Sequence, residues 1–153
     1  MALSATWSLN TTGFLELQWR ITGRELTALR QVATEHTFFP GTVVVTQGDV
    51  DETMYLILEG RVRVVRAVID QLPQDLARLG PFSSFGEMAF LTGCPRTASA
   101  TAETVVQALG FTRSQLKRLW TTDPSTAVNF YQTLTRALTH SLSHVDTLAL
   151  RFS

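Results

Sequence analysis

Cysteine is nearly missing from this 153-residue chain, which carries Cys94 alone. That excludes an intramolecular disulfide and a four-cysteine zinc or iron–sulfur site. Excess charge of either sign is missing too, because 13 Lys and Arg are balanced by 13 Asp and Glu. There is then no overall pull toward nucleic acid or an anionic membrane, although a local basic patch stays open. No stretch reaches the roughly 18 apolar residues of a membrane span. Met1–Asn10 lacks the basic start and apolar centre of a signal peptide. We expect a cytoplasmic domain that does not insert into a membrane. Histidine is scarce as well, with only His36 ahead of the last helix. His140 and His144 lie four apart and read as a solvated helix face, since two ligands are too few for a metal. Neither a Ser–His–Asp set nor a G-x-x-x-x-G-K-[ST] loop is present. We therefore expect no enzyme, no metal and no cofactor.

Apolar residues make up 44% of the chain, enough to build one domain with an appended helix. Met1–Thr12 is small and polar without a clear period and reads as a loosely held lead-in. Thr22 then caps a helix, with Glu25 three residues on and Leu26, Leu29 and Val32 along one face. Phe38-Phe39-Pro40-Gly41 breaks it. From Gly41 to about Phe111 the texture is that of short strands between glycine turns. Val43–Val45, Met54–Leu58, Leu76–Leu79 and Val105–Phe111 are candidates, and Arg61-Val62-Arg63-Val64 alternates valines inward with arginines outward. Arg61, Arg63 and Arg66 read as a solvated stripe. The absence of a βαβ rhythm argues for a mainly β fold, an antiparallel β-roll or jelly roll with flanking helices.

After Asp123-Pro124, apolar residues recur every three or four positions from Ala127 through Phe130, Leu134, Leu138, Leu142, Val145 and Leu148 to Phe152. That spacing predicts one amphipathic helix of about seven turns. A helix that long exceeds what one small roll can cover, so a homodimer through it is expected. The chain divides into a lead-in at 1–21, a β-roll at 22–125, and a C-terminal helix at 126–153 that packs on the roll, pairs with another copy or lies over a bound ligand.

The chemistry concentrates in Phe85-Gly86-Glu87-Met88-Ala89-Phe90-Leu91, which continues through Thr92-Gly93-Cys94-Pro95 to Arg96-Thr97-Ala98. Glu87–Leu91 suits a short helical turn inserted among strands, with its first N–H groups free to meet an anion. Gly86 lets a ligand approach the backbone. Arg96 can donate two parallel hydrogen bonds to phosphate oxygens, and Glu87 can accept from a sugar hydroxyl. Taken singly, Glu87 could be a first-turn acid and Arg96 a surface cation. Together they describe a receptor for a phosphorylated ribose. Cys94, with no base beside it in sequence, reads as a spectator.

This stretch resembles the phosphate-binding cassette of the cyclic nucleotide-binding domain family, with its pattern F-G-E-[aliphatic]-A-L followed by P-R-[S/T/A]-A. Phe39-Pro40-Gly41, Gln47-Gly48-Asp49, Asp51, Met54–Gly60 and Val62–Val65 resemble the family's first hairpins in order and spacing, so the likeness spans roughly Leu26 to Pro124. The resemblance implies that Phe85, Gly86, Glu87, Met88, Ala89, Arg96, Thr97 and Ala98 form a site for cyclic AMP or cyclic GMP. Glu87 would accept from the ribose 2′-hydroxyl, and Arg96 would pair with the phosphate. Gly86, Met88 and Ala89 would line phosphate and sugar through their backbone. Thr97 would reach the phosphate or the base, which leaves adenine against guanine open. Two departures stand out: Phe82 replaces a usual glycine in the preceding turn, and Phe90 a usual aliphatic residue.

The resemblance implies a sensor module in which the ligand biases the C-terminal helix and so regulates an attached effector domain or partner protein. No helix-turn-helix follows the helix before Ser153, so no direct nucleic-acid binding is expected. The alternative is a roll with a silent pocket, kept as a dimerisation or interaction module. Members that have lost binding usually lack the cassette arginine or glutamate, and both are present here.

Overall fold

The computed structural model describes residues 3–152, including the side chains of residues 3–140. Two four-stranded sheets face each other as a roll, and every strand pair among the described residues is antiparallel. In chain order the elements are β1 (Ser4–Leu9), β2 (Leu15–Arg20), α1 (Gly23–Val32), β3 (Thr34–Phe38), β4 (Val43–Val45), β5 (Met54–Glu59), β6 (Val62–Arg66) and β7 (Gln74–Leu79). They continue with β8 (Ser84–Phe85), α2 (Glu87–Thr92), β9 (Ser99–Ala102), β10 (Val106–Phe111), α3 (Arg113–Thr122) and α4 (Pro124–Phe152). One sheet runs β3-β10-β5-β8, the other β4-β9-β6-β7, and β1-β2 is a separate hairpin. The mainly β roll with a long C-terminal helix read from the sequence is the fold observed.

Two cores result. Between the sheets, Tyr55, Ile57, Val62, Val64, Phe85, Ala100 and Ala108 interdigitate. On the far face of the first sheet, Met54, Leu56, Leu109 and Phe111 meet the helices through Leu29, Leu116, Phe130 and Leu134. β5 lies between both cores, so successive residues of Met54-Tyr55-Leu56-Ile57 are buried on opposite faces. That is why the segment reads as an apolar run rather than an alternation. In β6, Val62 and Val64 point inward as their period requires, while Arg63 pairs outside with Asp75 at 2.6 Å.

Two expectations differ from the structure. Residues Met1–Thr12 are no loose lead-in where the structure describes them, because Ser4–Leu9 pairs with Leu15–Arg20 through a turn at Asn10–Gly13. Leu3, Leu17 and Trp19 are buried in the helical core, and the backbone N–H of Leu3 donates to Glu25. Strands also begin before Gly41: β3 starts at Thr34, directly after α1, and pairs with β10. Between β10 and α4 the structure adds α3, whose Thr112–Gln115 capping box repeats the Thr22–Glu25 box of α1.

α4 buries Ala127, Phe130, Leu134 and Leu138 as the period demands, all against this chain's own core. Leu142, Val145, Leu148, Phe152 and His144 fall outside the described side chains. His140 is exposed, and no group of metal-ligating side chains is gathered among the described residues. No helix among them is long and apolar enough to cross a membrane.

Candidate functional site

α2 is the helical turn inside the roll that the cassette implies, opened by Gly86 at φ 87° and closed by Gly93 at φ 74°. Both lie in left-handed backbone that only glycine adopts without cost. At Gly86 space forbids a side chain as well: a Cβ there would stand 2.6 Å from Arg96 Nη1 and 2.9 Å from the Thr53 carbonyl oxygen. The arginine thus packs on bare backbone.

Arg96 comes from the segment between α2 and β9, and the β4–β5 loop holds that segment in place. Arg96 N donates to Asp49 O, and Gly48 N donates to Arg96 O, both at 2.9 Å. The side chain is 3% exposed. Its Nη2 donates to Thr53 O at 2.6 Å and lies 3.2 Å from Asp51 Oδ2, while Nη1 reaches Gly86 O only at 3.5 Å. Nε is buried with no hydrogen-bond partner among the described residues. A buried guanidinium with spare donors is costly unless an acceptor meets it. Partial burial tends to raise the Asp51 pKa, but hydrogen bonds from Thr53 and Arg96 and the arginine's charge outweigh that and hold it below the usual carboxylate range. Asp51 thereby stays ionised and orients the guanidinium.

Glu87 lies at the start of α2 and is buried. Burial pushes its pKa up, against the opposing pull of the Ser84 hydrogen bond and the Arg96 charge. Ser84 Oγ donates to Glu87 Oε1 at 2.5 Å, and Trp19 Nε1 donates to Ser84 Oγ at 2.7 Å. The carboxylate is therefore aimed by a two-step relay that begins in the N-terminal hairpin.

All eight residues singled out in the sequence line one cavity of about 210 Å³: Phe85, Gly86, Glu87, Met88, Ala89, Arg96, Thr97 and Ala98. Phe85 is fixed by stacking on Tyr55 at 5.2 Å. Thr97 is exposed at the rim and Ala98 buried. Ten further residues line it, and four of them bear on the site. Phe14 comes from the hairpin tip, Leu138 from α4, Cys94 from the cassette loop, and Arg66 from the end of β6. Arg66 shares the parity of Val62 and Val64, so its place is the inner face rather than the solvated stripe of Arg61 and Arg63. Its Nε donates to Thr97 O at 3.4 Å. Counting along β6 would have found it. Phe82, in the glycine slot, has φ 63°, so the slot keeps its left-handed backbone with a side chain on it.

A family model for the cyclic nucleotide-binding domain matches residues 35–123. The chain belongs to this family. Among curated members, the CRP-like cAMP-activated global transcriptional regulator of Mycobacterium tuberculosis is 34% identical over 102 residues, covering 65% of this chain and 45% of that protein. A cAMP-dependent protein kinase regulatory subunit of Pyricularia oryzae is 35% identical over 99 residues, covering 65% of this chain and 25% of that protein. The match thus spans less than half the length of these relatives. Among solved structures, the Thermus thermophilus catabolite activator protein superposes with a TM-score of 0.69 at 29% identity, over 84% of this chain and 60% of that one. This chain is a cyclic nucleotide-binding regulatory domain of the same β-roll type. Its family match begins after the β1–β2 hairpin and ends before α4.

Proposed function

We propose that this domain binds cyclic AMP in the cavity beside α2 and uses it to reposition α4, so regulating an effector domain or partner protein. The observation that carries the reading is Arg96. It is buried, wedged on Gly86 and oriented by Asp51, its Nε has no partner among the described residues, and the residue lines a cavity together with Glu87. A cyclic phosphate in that cavity gives the guanidinium an anionic acceptor, and a charge-assisted pair of this kind is strong. Glu87, aimed by Ser84, accepts from the ribose 2′-hydroxyl. Gly86, Met88 and Ala89 bring backbone to the phosphate and sugar, and Phe85 and Ala98 close the apolar wall. The binding unit is residues 22–125, and 126–153 is the responding helix.

The cavity wall supports the coupling. Leu138 puts α4 in that wall, so a bound nucleotide borders the helix directly. The ligand can shift the helix only by as much as it prefers one arrangement over the other. An effector or a second copy of the chain would read that shift along the helix. Cyclic AMP is named because curated relatives carry it in their names. Thr97 at the rim leaves cyclic GMP as the competitor to be tested.

The test is a thermal-shift titration with cyclic AMP, cyclic GMP and AMP on the parent and on Arg96→Ala. At about 100 times its dissociation constant a ligand adds roughly 2.7 kcal/mol, enough to raise Tm by several degrees. The expected result is a shift with cyclic AMP, none with AMP, and none in Arg96→Ala. No shift with either cyclic nucleotide at millimolar concentration would overturn the reading.

A further inference from the structure

The N-terminal hairpin lies outside the family match, yet its tip forms part of the cavity wall through Gly13, Phe14 and Leu15. The tip is a built feature. Asn10 Oδ1 accepts from the backbone N–H groups of Thr12 at 2.9 Å and Phe14 at 3.1 Å, and Asn10 N donates to Phe14 O at 3.0 Å. Gly13, at φ 81°, supplies the left-handed residue that closes the turn. Two bonds then tie the tip to the roll: Asn10 Nδ2 to Leu76 O at 2.7 Å and Thr12 Oγ1 to the same oxygen at 3.0 Å. Leu76 belongs to β7 and its side chain sits in the roll core, so the anchor is rigid.

Only two aromatic rings line the cavity among the described residues, Phe14 and Phe85. Phe85 is 3% exposed and already stacked on Tyr55. Phe14 is half-buried against the roll core and stacks on no ring among the described residues. Phe14 lines the same cavity as Glu87 and Arg96. With the ribose and phosphate held by those two residues, the purine is the part of the ligand left to meet an apolar wall.

We propose that Phe14 is a ligand-contact residue: the N-terminal hairpin completes the nucleotide site, and the Phe14 ring packs on the face of the purine. This rests on the cyclic nucleotide reading above and extends the site to a segment the family match leaves out. Stacking does not discriminate between bases, because every base offers a π-face. Phe14 therefore adds affinity for adenine and guanine ligands alike and leaves their discrimination to other wall residues.

Isothermal titration calorimetry on the full chain tests it, with cyclic AMP, cyclic GMP and the base-free analogue ribose 3′,5′-cyclic phosphate as ligands. Phe14→Ala should weaken both cyclic nucleotides by about tenfold. It should leave the base-free analogue unchanged, and Phe14→Tyr should restore parent affinity. Phe14→Leu keeps an apolar side chain without a ring, so it should behave like Phe14→Ala and serves if the alanine variant fails to fold. An unchanged affinity for cyclic AMP in both Phe14→Ala and Phe14→Leu would overturn the assignment. So would an equal loss for the base-free analogue, which would mean the tip acts on the ribose phosphate end. A parent protein that binds neither cyclic nucleotide nor the analogue would instead sink the reading of the site itself.

Discussion

Trp19 stacks on Phe130 with ring centroids 4.7 Å apart and 11° between the planes. The indole of β2 thus lies flat against α4 while its N–H reaches Ser84, which in turn donates to Glu87. One side chain touches both the relay to the site and the helix proposed to respond. Movement of α4 and alignment of the glutamate then share a fixed partner.

Trp19→Phe separates the two roles, since it keeps an aromatic ring for Phe130 and removes the donor to Ser84. The loss of one buried hydrogen bond should cost about 1 kcal/mol of stability. Affinity for cyclic AMP should fall several-fold, while affinity for 2′-deoxy cyclic AMP, which cannot use Glu87, should hardly change. Calorimetric titration of both ligands checks this. A purely structural tryptophan would weaken both equally. Trp19→Ala removes the stacking ring as well and should cost about 3–5 kcal/mol.

Gly86→Ala should damage binding more than its single methyl suggests. The backbone there is left-handed, at a penalty of about 1–2 kcal/mol for a non-glycine residue. The new Cβ would also collide with Arg96 Nη1 and the Thr53 carbonyl. We expect a lower melting temperature together with at least a tenfold loss of cyclic AMP affinity. If the variant melted lower but bound as the parent does, the packing of Arg96 on Gly86 would be irrelevant to the ligand.

Glu87 sets a pH dependence whose sign follows from its raised pKa. Burial is the main cause, so the folded state holds a proton after the unfolded chain, near the usual 4.5, has released it. Stability from this group is complete below pH 4.5 and is lost as pH rises toward the folded-state value. Glu87→Gln removes that loss. The variant should therefore melt higher than the parent at pH 7 and lose the advantage below pH 4.5. It should also bind cyclic AMP more weakly, because a neutral acceptor replaces a charged one. Melting curves from pH 4 to 8, beside one titration at pH 7, test both halves.

Much of this was legible from local pattern. Thr22 and Glu25 announce a helix start because a capping box needs only four consecutive residues. The same rule would have found α3 from Thr112 and Gln115. The hairpin was legible too: Ala5, Trp7 and Leu9 alternate with polar residues, as do Leu15, Leu17 and Trp19. Small residues within Ser4–Leu9 masked that signal. β9 is harder, because Ser99-Ala100-Thr101-Ala102 has little strand preference, and only tertiary packing buries its alanines between the sheets.

The cassette could be read from local sequence alone. Its glycine, glutamate and arginine, Gly86, Glu87 and Arg96, fall in one short stretch of chain, so a local motif is enough to recognise them. The roll was legible in the same way, since glycine turns and strand periods are local. What surrounds the cassette depends on how distant segments pack. Phe14, Trp19 and Leu138 are far from Glu87 and Arg96 in sequence, and no short-range period brings them together. They meet because burying the hairpin and α4 on the far face of the first sheet removes both their apolar faces from water, which leaves the hairpin tip and the helix bordering one cavity.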